Sequence, residues 1–135
     1  PAEWSTQFEH QLHRAGVVVD ALLGTGITGA VRPPLDRVVE LINHHSGPET
    51  RVLAVDLPSG LDADSGNYEN VCIQADLTVT MALPKLGLVM YPGRQLAGDI
   101  IVADISVPEA FVDELQPERR LLTSAIVAAL LPERP

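Results

Sequence analysis

Aromatic residues make up only 4% of these 135 positions, so any core must be built from Val, Leu, Ile and Ala. Cysteine is nearly absent: Cys72 stands alone, which excludes an internal disulfide. A lone thiol usually packs as a small hydrophobe and fits a reducing compartment, so a cytoplasmic location is the expectation. Positive charge is short as well. Nine Lys and Arg face eighteen Asp and Glu, giving a net charge of -9. That balance excludes the basic stripe by which proteins hold nucleic acid or anionic membrane surfaces. No apolar run approaches the roughly 20 residues that cross a bilayer, so no membrane span is expected. Residues 1–16 are polar and lack the apolar middle of a secretory signal. Lysine is rarest among the charged residues; Lys85 is the single example, which makes its position worth following.

What is present is a series of short Val- and Leu-rich runs alternating with helical patterns. Residues 5–14 read as a helix with Ser5 at its N-cap and Phe8 and Leu12 facing inward. His10 and His13 lie three apart on it, but no third ligand of suitable spacing follows, so a solvated helix face is expected rather than a metal. Residues 17–23 read as a strand interrupted by Asp20. Burying that charge is costly unless donors or a cation meet it, so two readings stand: acceptor for loop amides, or cation ligand. Residues 34–43 form an amphipathic helix with Leu35, Val38, Val39 and Ile42 as its stripe, closed by His44 and His45. Further strands are expected at 51–55, 76–82 and 99–105, and a small capped helix at 123–131.

The chain is organised around Arg51–Asp64. An apolar run, with the pattern of a strand buried on both faces, ends at Asp56, and Pro58 and Gly60 then force a turn. A carboxylate is left at the carboxyl end of an interior strand beside Ser59. In open parallel sheets ligands bind at that edge. Gly24, Thr25, Gly26, Ile27, Thr28, Gly29 and Ala30 match G-x-G-x-x-G after a strand. The ordinary dinucleotide fingerprint opens a helix inside its glycines, whereas Pro33 and Pro34 place the helix start later. A glycine loop with free amides remains, able to cradle an anion. Lys85, near a strand's carboxyl end, can meet a phosphate, pair with an acid of the site, or lie on the surface. Strands alternating with helices give an α/β parallel sheet, and so few helices suggest only part of a domain.

Val19–Gly26, Val55–Gly66, Ala75–Thr80, Pro84–Leu88 and Ala103–Ile105 together resemble the YjeF N-terminal domain family, over residues 15–108. The resemblance implies a Rossmann-like parallel sheet with flanking helices, and epimerisation of the R and S forms of hydrated NADH and NADPH (NADHX and NADPHX). It places Asp20 and Ser59 on potassium-ligand positions, residues 24–30 on the loop that holds the hydrated nucleotide, and Asp56 on a substrate-contacting acid. Asp56 would then protonate the leaving hydroxyl or assist water's return. The family's first half carries an Asn- and Gly-rich loop with a further potassium ligand, and no such segment occurs in these residues. The expectation is therefore the C-terminal part of an epimerase domain, residues 1–120, with 121–135 a linker toward a dehydratase domain of the parent chain. The expected partner is the small-molecule substrate, with a homodimer open. The rival readings are a non-catalytic binding or scaffold module of the same family, and an ordinary dinucleotide oxidoreductase, which the Pro33–Pro34 placement disfavours.

Overall fold

Four short strands, β1 (Val17–Asp20), β2 (Arg51–Val55), β3 (Leu77–Met81) and β4 (Asp99–Ala103), lie side by side in chain order, every neighbouring pair parallel. The computed structural model describes residues 3–115, 119 and 121–131. Parallel neighbours need crossovers rather than hairpins. A helix at Leu35–His45 (α2) joins β1 to β2, and α1 (Glu3–Leu12) precedes β1. Two four-residue helices, α3 (Leu86–Val89) and α4 (Gly93–Leu96), lie between β3 and β4. The β2–β3 crossover, residues 56–76, has no helix at all. This is the α/β parallel sheet that the alternation of patterns gives, in the Rossmann-like form with flanking helices that the resemblance implies.

The chain divides after Ile105 into two units. The second contains α5 (Glu109–Leu115) and α6 (Ser124–Leu130). Thr123 caps α6, its hydroxyl accepting the Ile126 amide at 3.3 Å. Of residues 121–135, expected as a linker, 132–135 lie outside the described residues.

Several elements differ in detail from the sequence reading. α1 begins at Glu3, whose carboxylate suits the positive end of the helix, so Ser5 lies inside the helix and buried rather than at its cap. On α2 the buried residues are Val39, Leu41 and Ile42, with Leu35 only half-buried, a stripe rotated from the expected one. β1 stops at Asp20, which therefore ends the strand instead of interrupting it.

The two sheet faces are unequal. Val52 and Ala54 of β2 pack with Leu12 of α1, Val39, Leu41 and Ile42 of α2, and Ile73 and Ala75 of the crossover. A second cluster joins Leu57, Leu61, Cys72, Leu88 and Ala97, tying the crossover to α3 and the end of α4. Burying each Val or Leu in this way contributes about 1.5–3 kcal/mol. The alternate residues point to the other face. Val19, its register partner Leu53, then Val55, Val79 and Ile101 form an apolar band, with Val19 60% and Ile101 53% exposed. β2 is thus covered on one face only within this unit, a correction to the expectation of a strand buried on both. Among the described residues, both buried clusters lie on the Val52–Ala54 side of the sheet.

Candidate functional site at the carboxyl edge of the sheet

Asp20 and Ser59 meet. Asp20 pairs in register with Ala54, so the turn made after β2 by Leu57 and Pro58 carries Ser59 over it. The Ser59 amide donates to Asp20 Oδ2 at 2.7 Å and the Ser59 hydroxyl to Oδ1 at 2.6 Å, with a longer bond from the Leu22 amide at 3.3 Å. The hydroxyl in turn accepts the Leu23 amide at 2.9 Å and has the Leu23 carbonyl as a second acceptor at 3.3 Å. Both residues are 1% exposed. Asp20 is thus an acceptor for loop donors, the first of its two readings. The second is compatible with the same geometry. Among the described residues no basic side chain is one of its partners, so the buried carboxylate meets neutral donors. Turning the Ser59 proton to the Leu23 carbonyl would present two hard oxygens, the donor chemistry that an alkali cation takes.

Asp56 belongs to a separate set of bonds. Its amide donates to the Val79 carbonyl at 2.8 Å, extending the ladder by one residue. The backbone then turns left-handed (φ 68), a conformation that Asp tolerates better than most residues and that costs of order 1–3 kcal/mol. The turn directs the carboxylate across to β3. There Oδ1 accepts the Met81 amide at 2.9 Å, the Thr80 hydroxyl at 3.1 Å and the Lys85 ammonium. Lys85 also donates to Thr80 Oγ1 at 3.2 Å and the Met81 carbonyl at 3.0 Å. Lys85 therefore pairs with an acid of the site, one of the three fates open to it. Partial burial is the largest influence on the Asp56 carboxyl and works to raise its pKa. The Lys85 ammonium, the Met81 amide and the Thr80 hydroxyl together outweigh it and hold the carboxyl below its ordinary value.

The glycine loop is open. Gly24, Thr25, Gly26, Thr28, Gly29 and Ala30 are exposed and Ile27 is half-buried. Its far end is clamped by Asn70, whose side-chain amide accepts the Val31 N–H and donates to the Val31 carbonyl, both at 2.9 Å. Ile27 and Gly29 line a hollow with Gly60, Asp62, Asn67, Tyr68 and Glu69. Asp62 caps its own turn, accepting the Ser65 amide at 2.7 Å and hydroxyl at 2.6 Å, bonds that lower its pKa. The lining holds two carboxylates and no basic side chain, chemistry suited to hydroxyl groups more than to a bare phosphate. Asp20 and Asp56 are not in that lining. Sequence reading missed Thr80, Asn70 and the Asp62 turn; the Asp-Ala-Asp-Ser-Gly run at 62–66 carries a turn signature that points to the last of them.

The sequence profile described as "YjeF-related protein N-terminus" matches residues 2–87. A bifunctional NAD(P)H-hydrate repair enzyme of Moorella thermoacetica is 48% identical over 120 residues, covering 89% of this chain and 22% of its own length. Enzymes of the same name from Thermofilum pendens and Coxiella burnetii are 46% identical over 98 residues and 38% over 126, covering 73% and 93% of this chain. Those matches take in 18% and 25% of the relatives' own lengths, so the chain spans about a fifth to a quarter of them.

Proposed function

The chain belongs to the family of YjeF-related protein N-termini, and from that membership we propose that it serves the epimerisation of hydrated NADH and NADPH. The relatives' names specify repair of NAD(P)H hydrates, and their bifunctional description suits a dehydratase domain elsewhere in a longer chain. The observation that carries the reading is the Asp56–Lys85 ion pair on the carboxyl edge of the sheet, the edge from which the glycine loop also leaves β1.

Inverting the hydroxyl-bearing ring carbon needs a C–O bond to break and re-form on the other face. The leaving hydroxyl takes a proton and departs as water; the ring nitrogen's lone pair supports the cationic ring, and water then adds back and gives up its proton. A carboxyl held below its ordinary pKa is a poor donor at neutral pH but a ready acceptor. Asp56 therefore takes the proton from returning water, and Lys85, bonded to it, supplies the proton to the leaving hydroxyl. This narrows the two roles that the resemblance offers Asp56. The Asp62–Glu69 side of the hollow meets sugar hydroxyls, and the amides of residues 24–30 meet phosphate.

Potassium belongs to the same proposal. Asp20 and Ser59 would hold it, and its charge would balance the buried carboxylate and fix the loop that follows β1. The Cys72 thiol, pushed up to about 12 by burial and by the Asp20 charge, is inert and suits a reducing cytoplasm.

The test is restoration of the epimer balance in NADPHX depleted of one form, followed by chromatography. Asp56→Asn and Lys85→Met should each slow it by about 100-fold. Thermal shifts with NADPHX and potassium accompany it. A binding module would take up ligand without interconverting it, and a scaffold would respond to neither.

A further inference from the structure

Helices α1 and α2 end beside one another, and their last turns bring two imidazoles together. His13 follows the last residue of α1, its amide still bonded to the Glu9 carbonyl at 3.0 Å; His45 is the last residue of α2. Their Nε2 atoms lie 3.3 Å apart, with the rings edge to face. On the other side of its ring, His45 Nδ1 lies 2.8 Å from the Leu41 carbonyl. A carbonyl can only accept, so Nδ1 carries a proton and donates it; the Nε2 lone pair of neutral His45 accepts from His13 Nε2–H, a proton that a metal held between the two nitrogens would displace.

We propose that His13 and His45 form a chelating pair for a divalent transition ion of the zinc class, independent of the carboxyl-edge site. Three observations converge on it. Zn–N bonds of about 2.0–2.1 Å in tetrahedral geometry set two ligand nitrogens about 3.3 Å apart, the separation found here. The Nδ1–H to carbonyl bond is the arrangement that orients metal-ligating histidines and fixes their tautomer. Finally, both imidazoles lie at helix C-termini, whose carbonyls favour a cation.

The hollow around the pair is lined by Glu9, Arg37, Glu40 and His44 as well. Arg37 is the opposing charge, and it is bonded to Glu40 at 3.0 Å. Among the described residues no group of three or more His, Cys, Asp or Glu side chains is gathered as ligands. The site is therefore two histidines, with water in the remaining positions. His10, the neighbour that sequence spacing suggests for His13, takes no part.

The test is titration of the whole chain with ZnCl₂, read by long-range ¹H–¹⁵N imidazole spectra and by calorimetry. The expected result is one equivalent bound, with the Nε2 signals of His13 and His45 shifting together while those of His10 hold. His13→Gln and His45→Gln should each weaken binding by more than about tenfold, and His10→Gln should leave it unchanged. By linkage, saturating zinc should raise the melting temperature by several degrees in the wild type and in His10→Gln only. Nε2 signals unmoved at millimolar zinc, or equal shifts at all four histidines, would overturn the proposal. The spectra of the unmodified chain decide this even where a variant fails to fold.

Discussion

Asp20 and Asp56 end neighbouring strands, yet their partners set them different tasks. Asp20 is closed in by neutral donors, so its substitutions should be graded by what they leave unpaired. Asp20→Asn can keep its oxygen on the Ser59 amide and donate its NH₂ to the Ser59 hydroxyl, which turns to the Leu23 carbonyl, losing only the long bond from the Leu22 amide. It should cost about 1 kcal/mol, whereas Asp20→Ala strands buried donors and should cost about 3 kcal/mol, measured by urea unfolding. Asp56 is instead set by charge. Its folded pKa lies below the unfolded value, so its ionised form stabilises the fold above the ordinary carboxylate range. That contribution is lost as pH falls through the unfolded value, about 4, toward the lowered folded one. Asp56→Asn should therefore lower the unfolding midpoint at pH 7 and flatten its decline below about pH 4, read by denaturation at a series of pH values. The acid itself is legible in sequence, because a carboxylate ending an apolar run has few bland explanations. Its tie to Lys85 is legible only as one of three fates open to that residue. The two are 29 positions apart, and only the β2–β3 register with the left-handed turn at Asp56 brings them together.

At the scale of elements, the strands and α2 can be read from the sequence because their apolar spacing matches one period over the whole segment. The crossover 56–76 cannot, since its buried residues, Leu57, Leu61, Cys72 and Ile73, follow no period and are placed by hydrogen bonds instead. Ser59 accepts the Ile73 amide at 2.9 Å, and Asn43 of α2 bonds the Cys72 carbonyl at 2.8 Å and the Gln74 amide at 2.9 Å. Two glycines test how tightly this loop is fixed. Gly60 has φ +98, and a Cβ there would sit 2.3 Å from the Val71 carbonyl oxygen. Gly60→Ala should thus cost at least about 3 kcal/mol, since a strained backbone and a backbone clash coincide. Gly26 in the open loop has nothing within 4 Å of its Cβ position. Gly26→Ala should raise stability by about 0.4–1 kcal/mol through the unfolded chain. Calorimetric melting of the two variants side by side measures the contrast, and equal effects would mean that the crossover yields as easily as the glycine loop.

For the whole molecule, the decisive feature is the uneven dressing of the sheet. Parallel sheets are covered on both faces as a rule, because their strands carry apolar side chains on both. Here Val19, Leu53, Val55, Val79 and Ile101 make a band across all four strands, and among the described residues of the unit ending at Ile105 neither buried cluster includes any of them. Sequence shows apolar residues on this face of every strand, but not whether anything covers them. An apolar band this broad does not stay in water without consequence. The chain should bind an apolar-surface dye and associate as its concentration rises, followed by fluorescence and sedimentation. Substituting Val19→Lys and Ile101→Lys together should abolish both behaviours. The urea midpoint should move little, since the side chains removed are already 60% and 53% exposed and little packing is lost with them. A double variant that unfolds would mean that these positions are buried in solution and that the sheet is dressed on both faces after all. One that stays folded but still gathers into oligomers would move the sticky surface elsewhere, to the exposed Ile126, Leu130 and Leu131 around α6.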